Sequence, residues 1–204
     1  MPDTTILPIS NFEQKFTVFG VNLAIVNRQV SFKPFSYAPI LKFNHSNLLN
    51  QANNIVIDIN SPILYNLKNN HKIHFDFNFS FNQYNPMNRV SIQNTLVQLD
   101  PSFELNKNKY RLNIGVRPTL ANGDFALYPK IELTKQLKDT HYVIDAGWNT
   151  SLINNQLIQL IGQNHWISAP NDMPISSIEK KYINVSYNVN KRFNYGFNMA
   201  LNDY

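Results

Sequence analysis

His71, His74 and Asp76 are the residues whose types first suggest chemistry, because two imidazoles and a carboxylate within six positions are donors that a zinc ion takes. The spacing argues against a metal site. The surrounding residues favour extended backbone, in which successive side chains point to opposite faces, so His71 is parted from His74 and Asp76. Asp145, with His141 and Ser151 nearby, supplies the residue types of a catalytic triad, but no triad motif or spacing accompanies them. With 6 glycines and no glycine-rich loop, phosphate binding has no motif either. Cysteine is absent, which excludes thiol catalysis, disulfides and Cys-ligated zinc. The expectation is a protein that is not an enzyme and carries no metal or cofactor.

The net charge of +5 is scattered along the chain rather than gathered into a stripe, so no nucleic-acid partner is expected. Charged residues make up 15% of the chain, against roughly 25% in an average soluble domain, while 13% are aromatic. That balance suits a surface that meets something other than water. Asn accounts for 32 of the 204 residues, polar surface without charge, and is given little functional weight. No apolar run approaches the ~20 residues of a membrane helix. Met1 to Phe16 has neither the basic start nor the apolar core of a signal peptide.

What must position the polar residues is a series of strands. From His71 to Asn82, Ile73, Phe75, Phe77, Phe79 and Phe81 alternate with His74, Asp76, Asn78, Ser80 and Asn82. From Lys109 to Arg117, Tyr110, Leu112, Ile114 and Val116 alternate with Arg111, Asn113, Gly115 and Arg117. Tyr182 to Val189 and Phe193 to Asn202 repeat the pattern around a turn at Asn190 to Arg192. Weaker strands are read at Lys15 to Asn27, Pro34 to Asn44, Asn54 to Ile63, Arg89 to Leu105, Phe125 to Gln136 and Thr140 to Ser151. Pro101 and Pro129 should mark bulges or strand ends.

The fold class is therefore all-β, an antiparallel up-and-down meander of about ten strands forming a transmembrane β-barrel or part of one. Loop lengths carry the membrane reading. The links at 27–34, 64–70, 105–108, 136–139 and 190–192 look short; those at 45–53, 83–88, 119–124 and 152–181 look longer, as in outer-membrane barrels. The alternative is a soluble, secreted β-sandwich that binds a ligand or partner, which explains the periodicity equally well.

In the barrel reading His74, Asp76, Asn78, Arg111, Asn113, Arg117, Lys130, Glu132 and Asp145 face a lumen, where they pair with one another or select solutes. Phe75, Phe77, Phe79, Leu112, Ile114, Val185 and Phe197 face lipid. Tyr142, Trp148, Tyr187 and Tyr195, near strand ends, suit aromatic girdles at the headgroups. The link 152–181 contains the apolar "LIQLIGQNHWIS", which should fold into the lumen or cap the rim, with Trp166 as its ligand-contact candidate.

Four stretches, "LDPSFELNKNKYRLNIGVRP" (Leu99 to Pro118), "FALYPKIELTKQL" (Phe125 to Leu137), "YVIDAGWNTSLINNQL" (Tyr142 to Leu157) and "QNHWISAP" (Gln163 to Pro170), carry a family resemblance in their order. They resemble the barrel region of TonB-dependent-receptor-like outer-membrane proteins of Bacteroidetes-type bacteria. The resemblance implies a bacterial outer-membrane location, membrane lipid as a partner, and solute transport or receptor-type uptake of a small solute. It also implies coupling to a TonB partner, although the family's plug domain and TonB box are not found in these residues. The chain is read as one domain, residues 1–204, a wall segment of a larger porin-like barrel truncated at both ends.

Overall fold

A computed structural model describes residues 15–25, 27, 34–137, 142–164, 168–188 and 194–203. The strands are β1 (Phe16–Ala24), β2 (Phe35–Tyr37), β3 (Ile40–Leu48), β4 (Ala52–Asn66), β5 (Lys72–Pro86), β6 (Ile92–Lys107), β7 (Tyr110–Ala121), β8 (Asp124–Gln136), β9 (Tyr142–Asn154), β10 (Ile175–Asn188) and β11 (Asn194–Asp203). One short helix, α1 (Leu157–Gln163), interrupts the β9–β10 connection.

All eleven strands form a single antiparallel sheet in chain order, β1-β3-β4-β5-β6-β7-β8-β9-β10-β11, and the sheet is not closed. The expected meander is thus the observed fold. β2 pairs with β4 in the same register as β3, Tyr37 opposite Ile63 and Ile40 opposite Asn60, so β2 and β3 are one strand line interrupted around Pro39. Pro39 has no N–H to give the ladder.

Strict alternation sends the two residue classes to opposite faces, and register keeps each class in phase across the sheet. Phe77 on β5 stands opposite Ser61 and Leu99, whereas Asn78 stands opposite Asn60 and Gln98. The face bearing Asn78 lies on the inside of the sheet's curl, because its side chains bond across to strands that are not neighbours: Asn154 Nδ2 on β9 donates to Ser80 Oγ on β5 at 3.1 Å.

The hairpin turns use Asn where other proteins use glycine. Asn50, Asn69, Asn70, Asn88, Asn108 and Asn122 all have positive φ, five of the β-hairpin links are built on them, and Gly123 follows at +97° in the two-residue β7–β8 turn. Asn tolerates the left-handed region because its short amide bonds locally. Turn formation is one reason the chain carries so much Asn.

Three of the connections expected to be long are tight. β3–β4, β5–β6 and β7–β8 are joined by residues 49–51, 87–91 and 122–123. The strands extend through Asn-rich stretches that look like loops, since the amides there are bonded between strands: Asn85 Nδ2 donates to Asn53 Oδ1 at 2.6 Å. Among the links from β3 to β8 and from β9 to β10, the β9–β10 link, 155–174, is the long one, and the links from β3 to β8 show no alternation of short and long.

Neither Pro101 nor Pro129 ends its strand, yet both disturb the ladder. Pairing of β6 with β7 is interrupted at 99–101 opposite 116–118, where Pro101 and Pro118 both lack an N–H. Pairing of β8 with β9 stops at Lys130, one residue after Pro129. Beyond Asn149, β9 stays paired with β10 but leaves β8 and turns inward over the curled face.

Candidate internal channel

The inner face is built from alternate positions of β4 to β9. Asp100 on β6 is its electrostatic centre. Arg117 on β7 donates from Nη2 to Asp100 Oδ2 at 2.6 Å and from Nε at 3.2 Å, and Lys130 Nζ on β8 lies 3.2 Å from both carboxylate oxygens. All three side chains are largely buried. Burying a carboxylate is tolerated only when it is paired and hydrogen-bonded, and two cations accomplish that here.

The other expected inner residues are on this face. Asp76 stands opposite Asp100 in the β5–β6 register. Asn78 accepts from Asn60, Asn113 Nδ2 donates to Glu132 Oε2 at 3.2 Å, and Arg111 Nη2 donates to Thr134 Oγ1 at 3.1 Å. Asp145 pairs in register with Thr134 and Asn184. Toward the β4–β5 turn, Glu104 lies 3.3 Å from Lys72 Nζ and 3.3 Å from His74 Nε2. The His74 contact is at ion-pair distance without hydrogen-bond alignment. Among the described residues no group of three metal-ligating side chains comes together, and His71 is engaged elsewhere, its Nδ1 accepting from the Asn106 amide at 3.1 Å.

At the opposite end the β9–β10 connection folds into the curl. Asn54, Asn82 and Asn94, all buried, hold it by its backbone: Asn82 donates to the Asn155 carbonyl, Asn54 accepts from the Leu157 N–H at 3.1 Å, and Asn94 donates to the Met173 carbonyl. Gln156 Nε2 reaches Asp58 on β4 at 3.2 Å. Behind these anchors Leu157 and Ile161 of α1 pack with Met173 against Leu48, Ala52 and Tyr84, the chain's buried apolar cluster. Tyr84 O–H donates to the Pro170 carbonyl at 2.7 Å.

Sequence reasoning missed the Asn anchors. Their signal was the Asn density itself: a side chain with two donors and an acceptor can hold both strand neighbours and a crossing segment. Trp166 lies outside the described residues.

The outer face carries the apolar rows. Phe75, Phe77, Phe79, Leu112, Ile114, Val185 and Phe197 lie together on it, with Ile114 49% and Phe197 63% exposed. Tyr142, Tyr187 and Tyr195 are register partners across β9, β10 and β11, their rings 4.4 and 5.1 Å apart. Six residues along β9, Trp148 Nε1 donates to Glu179 Oε1 at 2.7 Å, and Lys181 lies over the indole 5.1 Å from its centroid. The inner side of this region is packed instead: the Tyr182 ring covers Gly147, where an added Cβ would come within 2.6 Å of it.

No protein family, curated protein or solved structure matches the chain. The distribution of polarity over the two faces therefore carries the functional argument. On β6 the inner side chains Asn94, Gln98, Asp100 and Ser102 are at most 8% exposed, whereas Phe103 and Leu105 on the outer face are 37% and 36% exposed. Over this stretch polar groups are inside and apolar groups outside, the reverse of a water-soluble sheet; the inner face turns apolar only toward the end where Leu48, Ala52, Val56, Tyr84 and Leu96 lie.

Proposed function

We propose that the chain forms the wall of an outer-membrane β-barrel whose polar interior is a passage for small solutes, narrowed at one end by the inward-folded β9–β10 connection. The carrying observation is the inversion of burial. An outer face of Phe, Ile, Leu, Val and Tyr exposed over many strands is costly in water and favourable in hydrocarbon. Strand-to-strand pairing within the sheet meets part of the further demand of a membrane interior, and in this reading the rest of the barrel wall covers the edges of β1 and β11.

The dimensions agree. From Ile73 to Phe81 the outer row of β5 is apolar, beyond which it carries Gln83 and Asn85. That run is about 26 Å along the strand and about 20 Å high at a tilt of ~40°. On β7 the row from Tyr110 to Leu120 gives about 25 Å at the same tilt, the usual height of the apolar band. The tyrosine row of Tyr142, Tyr187 and Tyr195 then acts as a girdle, placing polar tips at the headgroups.

Passive or receptor-type transport of a small solute follows from a polar lumen with a charged constriction, in a bacterial outer membrane of the Bacteroidetes-type organisms whose barrels the sequence resembles. No catalytic role is proposed. A soluble sandwich would need a layer over the apolar face, and among the described residues there is a single sheet. Solubility separates the readings. In the barrel reading the purified chain needs detergent and shows a heat-modifiable gel shift; a monodisperse detergent-free protein without that shift would overturn it.

A further inference from the structure

Asp76 carries a carboxylate that nothing in its surroundings neutralises by contact. Across the β5–β6 pair it faces Asp100, and Asp100 engages both Arg117 and Lys130. Asp76 has no ion pair or hydrogen bond among the described residues. Its nearest basic neighbour along the strand, His74, is turned to Glu104 at 3.3 Å.

Beside Asp76 lies a pocket of about 360 Å³ between β2 and the adjoining parts of β4 and β5. Its walls combine Asp76 and His74 with Ser36, Tyr37, Pro62 and Leu64. No Lys or Arg is among the described residues that line it. A single carboxylate in a wall otherwise made of apolar, hydroxyl, amide (Asn27) and imidazole (His74) groups is poorly suited to a hard divalent metal, which needs several oxygen ligands. It suits an organic ammonium group: the charge meets the carboxylate, and the alkyl part meets Leu64 and Pro62, which stand on the same face as Asp76.

We infer that this pocket binds a small organic cation, an alkylated or primary ammonium, with Asp76 as its counter-charge. The inference deepens the transport reading by naming a solute class and rests on it for the route by which solute arrives; binding itself can be measured without that route. The test is titration calorimetry of the full chain in micelles with tetramethylammonium chloride, with glycerol as a neutral probe and sodium chloride as a charge control. Saturable heat is expected with tetramethylammonium only. Asp76→Asn should weaken it at least about tenfold, as loss of a charged partner does, while Asp76→Glu retains measurable binding and Asp124→Asn, on the exposed β7–β8 turn, leaves it unchanged. Absence of saturable heat, equal heat with sodium, or undiminished binding in Asp76→Asn would overturn the inference. The heat-modifiable gel shift, recorded on every sample, reports folding of each variant and failure of the barrel reading separately.

Discussion

The guanidinium of Arg117 on β7 donates to the main-chain carbonyl of Thr150 on β9, reaching past β8, which lies between them in the sheet. Thr150 stands just beyond the point where β9 leaves β8, so its carbonyl has no β8 partner. The same guanidinium holds Asp100. One side chain thus completes the ladder where Pro129 precedes its end and neutralises the most buried carboxylate of the inner face.

Replacing Arg117 by Met should leave Asp100 with Lys130 alone and the Thr150 carbonyl without its donor. Removing one partner of a buried pair costs about 3–5 kcal/mol. The loss should appear as a lowered urea midpoint in micelles; an unchanged midpoint would mean that the network contributes little.

Leu157 and Ile161 seat the inward-folded β9–β10 connection, which the proposed function makes a constriction. Leu157→Asp with Ile161→Asp should unseat α1 while leaving the strand pairs intact, because the apolar cluster is local to one end of the sheet. Liposome-swelling rates with small sugars should rise in this variant. If the rates match the wild type, the segment does not limit passage.

The outer face makes the reverse demand on substitutions. Phe77→Arg and Ile114→Arg should each lower stability in lipid by about 2–4 kcal/mol near the midplane, with smaller effects for Arg at Asn78 or Asn113 on the polar face. Folding yields into vesicles provide the comparison, and equal losses at all four positions would contradict the assignment of faces.

Much of the fold was legible because one sequence feature, alternation, has a single structural meaning. The Phe row of β5 and the β10–β11 hairpin follow from it directly, and so does the side of the sheet on which each candidate residue lies. Strand ends were less legible. Asn at 53, 54, 82 and 85 disfavours strands by propensity but is retained there by amide bonds between strands and to the β9–β10 connection, which depend on residues distant in sequence. For the same reason the links at 45–53, 83–88 and 119–124 looked longer than they are. The helix at Leu157–Gln163 has no capping side chain or first-turn acid to announce it, and it is held by Asn side chains from β4 and β5. Which cation pairs with Asp100, and that Asp76 is left over, depend on the strand register.

The central claim, polar inside and apolar toward lipid, is tested most directly by spin labels on single cysteines along β5, for which the absence of native cysteine leaves the chain ready. With the protein in lipid vesicles, labels at Phe75, Phe77 and Phe79 should relax with molecular oxygen, and labels at Asp76, Asn78 and Ser80 with an aqueous nickel chelate, alternating residue by residue. The inverse alternation, or equal access of the chelate to both sets, would contradict it.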